Sequence, residues 1–207
     1  MLKIDKPKLS KFVKESNLDV IKNNDNLIDM FFKDEVLNYK LEINEINGCL
    51  FKNVDFGKNP LNNVHLIDCI FDSCDLSNIT IETKSLCRTV FNNCSLIGTN
   101  ILDCSLKSVE FNNCNLQYIN FSSIFKKCIF KNCDLKSARL YENNFENVII
   151  DSCILDSVEI YKTNLKNIDL SNSKISNFNS DIESVKGVVV DTAGALELSK
   201  ILGIRIN

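Results

Sequence analysis

The stretch FNNCSLIGTNILDCSLKSVEFNNCNL, residues Phe91 to Leu116, nearly repeats itself: the FNNCSL that begins at Phe91 returns as FNNCNL at Phe111. Cysteines at a fixed spacing are typical of metal or disulfide chemistry, whereas internal repetition is typical of repeat architectures. Because the two interpretations lead to different functions, the period of the repeat has to be established first.

A large apolar residue recurs every five residues. Every fifth position from Phe51 to Phe121 is Leu, Ile or Phe, and after one shorter step to Phe125 the spacing resumes at Phe130 and continues to Ile175. This period fits neither an α-helix nor a flat strand. It predicts a chain that turns a corner every five residues and sends one large apolar side chain inward per side.

Four such sides make one coil, which explains the return of the motif. On the first side the inward residues of successive coils are aromatic, and on the second side they are mostly leucine. Equivalent residues of adjacent coils should lie roughly 4.8 Å apart, a separation that suits stacked rings. The predicted core ladder comprises Phe71, Phe91, Phe111 and Phe130 on side one and Leu76, Leu96, Leu116, Leu135 and Leu155 on side two.

The units CDLSN (74–78), CNLQY (114–118) and CDLKS (133–137) resemble those of the pentapeptide-repeat family. The resemblance extends from about Gly48 to Asn177. It implies an all-β fold, a right-handed quadrilateral β-helix of just over six coils, with a short C-terminal α-helix and an N-terminal cap. Each coil of such a solenoid is stabilised only by its neighbours.

The cysteines are interpreted as packing residues. Nine of the ten lie two residues before a large apolar position, where a small inward side chain is needed. There is no CxxC pair and His65 is the only histidine, so we expect neither a metal nor another cofactor. Cys87 should point outward, and a redox role for it is the alternative to an inert thiol. The predicted small inward ladder on side two is Cys74, Cys94, Cys114, Cys133 and Cys153.

Composition excludes several classes of function. The formal charge is −3, from 27 acidic and 24 basic residues that are spread along the chain, so direct nucleic-acid binding is not expected. No apolar run approaches the roughly 18 residues of a membrane span, and no signal peptide is evident. We therefore expect a cytoplasmic protein without membrane contact. The absence of phosphate-loop, GxSxG and HExxH motifs predicts that it is not an enzyme.

Three segments are predicted. Residues 1–42 should form a cap that is partly helical or irregular, with a partner-binding element as the alternative, and residues 43–180 should form the β-helix. Residues 181–207 should close the rod with a strand at Val188–Val190 and a helix from about Ala193 to Leu202, capped by Asp191 or Thr192 and ended by Gly203.

The C-terminal tail, GVVVDTAGALELSKILGIRI, resembles that of the quinolone-resistance branch of the family. In that branch the tail makes a two-fold dimer, so the resemblance implies a homodimer, and a simple end cap is the alternative. The predicted dimer interface is Leu198, Ile201, Leu202 and Ile204.

The outward residues must carry the function. On side one the residue before each inward aromatic is usually apolar, which indicates either β-propensity or a protein-docking stripe. The predicted docking stripe is Leu50, Ile70, Val90, Ile129 and Ile149, interrupted by Glu110.

We expect a non-enzymatic protein-interaction rod. The resemblance implies DNA gyrase or a topoisomerase as its partner and an effect on quinolone sensitivity, although the balanced charge argues against mimicry of DNA. A structural or scaffolding solenoid with an unrelated protein partner is the alternative.

Overall fold

The chain winds into a parallel β-helix, as the five-residue period predicts, and this β-helix has about 8 turns. The computed structural model describes residues 3–38, 40, 42–83 and 85–205. Every strand pair within these residues is parallel, because each strand pairs with the equivalent strand of the next coil.

The strands are short because the chain turns a corner after every side. They are β1 (Lys14–Glu15), β2 (Asn26–Ile28), β3 (Met30–Lys33), β4 (Glu45–Asn47), β5 (Leu50–Lys52), β6 (Leu61–Asn62), β7 (His65–Ile67), β8 (Ile70–Asp72), β9 (Thr80–Glu82), β10 (Ser85–Asn92), β11 (Asn100–Asn112), β12 (Asn120–Lys126), β13 (Ile129–Lys131), β14 (Arg139–Tyr141), β15 (Asn144–Glu146), β16 (Ile149–Asp151), β17 (Ile154–Asp156), β18 (Glu159–Tyr161), β19 (Lys174–Ser176) and β20 (Asn179–Ser180). The α-helices are α1 (Ile182–Val185) and α2 (Thr192–Ser199), and 3-10 helices span Leu18–Asn23 and Lys200–Leu202.

The corners of the coil depend on residues that tolerate a left-handed backbone. Many corner positions hold Asn, Asp or Ser at a positive φ, such as Asn93 at 55° and Asn113 at 54°. Asn and Asp adopt this conformation more readily than other non-glycine residues. The Asn93 N–H donates to the Asn112 carbonyl oxygen at 2.9 Å, so the corner remains hydrogen-bonded to the next coil. This explains how the rod turns repeatedly with so few glycines.

The β-helix begins earlier than the boundary predicted at residue 43. Strands β2 and β3 already pair in parallel with β4 and β5. Leu27, Phe32 and Leu37 are buried at the five-residue spacing, so they are inward residues of the first coil. This additional coil raises the count above the six that the sequence predicts. The cap is shorter than residues 1–42 and includes the 3-10 helix, whose Leu18 and Ile21 are buried.

The shorter step near Phe125 produces a local irregularity, as expected. The register between β11 and β12 shifts between Leu102 and Ser105, where one coil has a residue fewer than the other. Ser123 lies at this point with its side chain buried. The Cys104 N–H donates to the Ser123 Oγ at 3.1 Å, so a side chain supplies a coil-to-coil hydrogen bond that the shortened backbone does not.

The C-terminal end is closed by helices. Helix α2 begins after Asp191, whose Oδ1 accepts from the Gly194 N–H at 2.8 Å, and the following 3-10 helix ends at Gly203, with φ of 70°. The predicted strand at Val188–Val190 is wrong: Val189 forms a single parallel bridge with Asp169, because the chain leaves the coil there to enter α2. No helix among the described residues is long and apolar enough to cross a membrane.

Candidate interaction surfaces

The predicted core ladder lies in the centre of the rod. The phenylalanine rings of side one stack with centroids 4.9 Å apart between Phe51 and Phe71, 4.8 Å between Phe71 and Phe91, 5.0 Å between Phe91 and Phe111 and 4.9 Å between Phe111 and Phe130. The five predicted leucines of side two are buried beside them. These side chains are unavailable to a partner, so recognition falls to the outward positions.

The cysteine ladder is also buried. Each thiol of the ladder donates to carbonyl oxygens of its own and the preceding coil, as Cys94 does to Asn92 at 3.3 Å and to Phe71 at 3.5 Å. Burial raises the pKa of the Cys49 and Cys128 thiols to about 11, which keeps them protonated at neutral pH. Among the described residues no group of three His, Cys, Asp or Glu side chains could hold a metal ion.

Cys87 is set apart from the other cysteines by its exposure. It is half-buried, whereas the other nine cysteines are buried. The Arg88 Nη1 donates to the Cys87 Sγ at 3.4 Å, so a guanidinium lies against the thiol. The structure therefore places this thiol at the surface, as the sequence predicts.

A second ladder consists of buried polar side chains, and it was not predicted from the sequence. The Ser123 N–H donates to the Asn143 Oδ1, the Asn143 N–H to the Thr163 Oγ1 and the Thr163 N–H to the Ser184 Oγ, at 2.9, 3.0 and 3.1 Å. Each side chain satisfies a backbone N–H of the preceding coil, and buried N–H groups require such partners. The signal in the sequence is a Ser, Asn or Thr at an inward position where cysteine or valine is usual.

The predicted docking stripe is less exposed than expected. We call its positions together with Glu110 the side-one row: Leu50, Ile70, Val90, Glu110, Ile129 and Ile149. Leu50, Ile70, Ile129 and Ile149 are half-buried, whereas Val90 and Glu110 are only 8% and 6% exposed. Outward positions of an uncovered strand would not be buried to this degree, so another segment lies over the middle of the row.

That segment is the N-terminal arm, which we define as residues 3–13. The Lys6 Nζ forms an ion pair with the Glu110 Oε1, and the Lys8 N–H donates to the Asp68 Oδ1 at 2.8 Å. The Ser108 hydroxyl donates to the Asp5 carboxylate at 3.3 Å. The sequence predicts that this segment belongs to an end cap. It lies instead along the flank of the rod, over the corner that precedes side one.

A partly buried ion pair lies at the same corner, between Arg88 and Asp68. The Arg88 Nε and Nη2 donate to the two carboxylate oxygens of Asp68, each at 2.6 Å. Burial alone would raise the pKa of Asp68, but the hydrogen bonds from Arg88 and from the Lys8 N–H, with the positive charges of both residues, hold it below its ordinary value. The pair is bidentate, which fixes the orientation of both side chains.

The C-terminal end carries an apolar groove of about 380 Å³. Of the predicted dimer residues, Leu198 and Ile201 pack partly against the core, whereas Leu202 and Ile204 are 59% and 51% exposed. Leu198, Ile201 and Leu202 line the groove together with residues of α1 and the Val188–Val190 segment. The helices thus close the rod and still present apolar side chains outward.

One family model matches part of the chain. Residues 44–122 match the model of the pentapeptide repeat region, whereas no curated protein matches the chain. A trypsin-treated form of QnrB1, a plasmid-mediated fluoroquinolone resistance protein, is 23% identical over 93% of this chain and 96% of its own, with a TM-score of 0.40. HetL, a pentapeptide repeat protein involved in heterocyst differentiation regulation from the cyanobacterium Nostoc sp. Strain PCC 7120, is 12% identical over 83% of this chain and 94% of its own, with a TM-score of 0.37. At these identities and TM-scores, no property of either protein is carried over to this chain.

Proposed function

We propose that this pentapeptide-repeat protein is a non-enzymatic protein-interaction rod that binds its partner through the side-one row. The observation that carries the proposal is the row itself: Leu50, Ile70, Ile129 and Ile149 are apolar at outward strand positions and remain half-buried. Rows of apolar side chains on an otherwise polar surface are characteristic of docking sites. The charge of the chain is nearly balanced, with 27 acidic and 24 basic residues, so shape and apolar contact are the basis of recognition.

The first partner to test is DNA gyrase or a related topoisomerase, because the C-terminal tail resembles that of the quinolone-resistance branch. Electrostatic imitation of DNA is not the mechanism that we propose. Several carboxylates pair with a lysine of an adjacent coil, as in Lys126–Glu146 and Lys162–Glu142, at 2.9 and 2.6 Å. Such pairing weakens the field that a DNA mimic needs. A scaffolding role with an unrelated protein partner is the second candidate function, because such a partner could dock on the same side-one row.

Gyrase supercoiling with and without ciprofloxacin tests this choice. We expect the wild-type chain to alter supercoiling or protect it from the drug, and Ile129→Lys to abolish the effect because a lysine in the row must be desolvated on docking. Ile154→Lys is the matched control, since Ile154 is 42% exposed on a different side of the rod. If the wild-type chain has no effect at micromolar concentration, gyrase is discarded as the partner.

We further propose that the chain is a homodimer through its C-terminal groove. The apolar lining and the exposure of Leu202 support a self-complementary contact, since two-fold dimers bury the same patch from both subunits. Leu202→Glu should therefore convert the dimer to a monomer in sedimentation equilibrium. Leu196→Glu is the matched control, because Leu196 is 47% exposed on α2 and does not line the groove. A wild-type chain that sediments as a monomer would refute the proposal.

A further inference from the structure

The N-terminal arm runs along the axis of the rod. From Asp5 to Lys8 its contacts move from the coil of Ser108 past the coil of Arg88 to the coil of Asp68. Two coil spacings are about 9.6 Å, and three extended residues span about 10 Å. The arm is therefore extended and crosses the strands of the rod at a steep angle. In that orientation it cannot add a strand to the sheet.

The arm covers a surface that would otherwise be open. It bridges Glu110 and Asp68, and the position of the side-one row between these two coils is Val90, the most buried apolar residue of the row. The row continues past Glu110 to Ile129 and Ile149, which remain half-buried. The covered and uncovered parts thus form one continuous surface.

The contacts of the arm are few and replaceable. Residues 3–13 form no strand, and Lys6 keeps 66% of its side chain exposed despite its ion pair. Strand pairing begins only at β1, where Lys14 and Glu15 pair with Met30 and Phe31. The arm is held by an ion pair, two hydrogen bonds and the half-buried side chains of Ile4, Pro7 and Leu9, without strand pairing, so it is displaced more readily than a strand of the coil.

We propose that the corner beside the side-one row is a binding site for an extended, lysine-bearing peptide segment, and that the arm occupies this site until a partner segment displaces it. The inference rests on the proposed function and names the regulation of the same surface. The chemistry of the segment follows from the contacts at this corner: a lysine to pair with Glu110, a backbone N–H for Asp68, and apolar residues for Val90 and Ile70. A partner segment longer than the arm gains contacts with Ile129 and Ile149.

The test uses the full chain and a fluorescein-labelled synthetic peptide of residues 3–13 as the probe. In the wild-type chain the arm competes with the peptide at high effective concentration. In the Lys6→Glu chain the arm is repelled by Glu110, while the residues of the rod at this corner are unchanged. The peptide should therefore bind at least about tenfold more tightly than to the wild type, equivalent to ~1.4 kcal/mol. Fluorescence anisotropy measures both affinities, and circular dichroism checks that the variant is folded.

Lys11→Glu is the matched control. It makes the same change of charge in the arm, but at an exposed residue that does not pair with Glu110. It should bind the peptide as weakly as the wild type. A Glu110→Lys chain should reverse the preference, favouring a peptide with glutamate in place of Lys6. Equal affinity of the wild-type and Lys6→Glu chains, or no binding to the Lys6→Glu chain, overturns the proposal. Suppose that the peptide binds as expected while the Ile129→Lys chain affects gyrase supercoiling as the wild type does. In that case the proposed function at the side-one row is refuted, and the binding site of the arm is supported.

Discussion

Removing one ring from the middle of the aromatic stack tests what holds the rod together. Phe91 is fully buried, with its ring centroid 4.8 Å from that of Phe71 and 5.0 Å from that of Phe111. Truncation of a buried phenylalanine to alanine costs about 3–5 kcal/mol in lost burial and cavity formation. Two stacking contacts of about 0.5–1.5 kcal/mol each are lost with it. We therefore expect Phe91→Ala to destabilise the protein by about 4–5 kcal/mol, near the upper end of that range.

The assay is urea unfolding followed by far-ultraviolet circular dichroism, with the midpoint and slope fitted for each variant. Phe12→Ala is the matched control, because Phe12 is 82% exposed and its truncation should change the free energy of unfolding by less than about 0.5 kcal/mol. Since each coil is stabilised by its neighbours, a cavity in a central coil should weaken the coils on both sides. A Phe91→Ala midpoint close to that of Phe12→Ala would refute the stacked-core argument.

Three further predictions concern burial and charge. Leu106→Asp should unfold the rod, because it places an unpaired carboxylate at a fully buried site, and a soluble folded variant would contradict the inward assignment. At pH 8, Ellman's reagent should modify Cys87 well before the other thiols, since burial raises the pKa of Cys49 and Cys128 to about 11; rapid modification of several thiols in the folded protein would count against this. The pKa of Asp68 is lower in the folded protein than in the unfolded chain, so its ion pair stabilises the fold above the unfolded pKa of about 3.9, and this contribution is lost as pH falls through the folded pKa. Asp68→Asn should remove that part of the acid dependence, which urea unfolding at several pH values measures; an unchanged pH profile would show that the pair contributes little.

The periodic part of the fold could be predicted from the sequence because its cause is local and repeated. One inward side chain every five residues specifies a corner, and four corners return the chain to its starting side. The sequence therefore assigns Phe91 and Phe111 to adjacent coils without any knowledge of the structure, and their rings stack in that register. The Asp191 cap of α2 was predictable for the same reason, since the cap and the helix it starts are adjacent in sequence.

The first coil was missed because its repeat is short. Leu27, Phe32 and Leu37 keep the five-residue spacing, but the next buried large side chains, Ile43 and Ile46, do not continue it. Three positions are too few to distinguish a repeat from chance, whereas the run that begins at Phe51 is long. Pairing of β2 with β4 bridges the irregular segment and brings the first coil into register.

The path of the arm could not be predicted, because nothing in residues 3–13 refers to the repeat. Lys6 and Glu110 are 104 positions apart, and their contact depends on where the whole rod places the coil of Glu110. Glu110 did carry a signal, since it is the single charged residue in an apolar row. A carboxylate at such a position must be solvated or paired, and an arm lysine is what pairs it.

Ion pairs between adjacent coils weaken the electric field over part of the surface of the rod. Arg139 lies 3.6 Å from Glu159 of the next coil, and Lys136 lies 3.7 Å from Asp156, in the same coil-to-coil manner as Lys126 and Glu146. Neighbouring charges that cancel give a weak field beyond about 8 Å at physiological ionic strength. If a partner docks on the side-one row, as proposed above, long-range steering is a small part of its association and close contact supplies the affinity. A partner that binds there should show association rates that depend only weakly on salt, whereas a mimic of DNA should show a steep dependence.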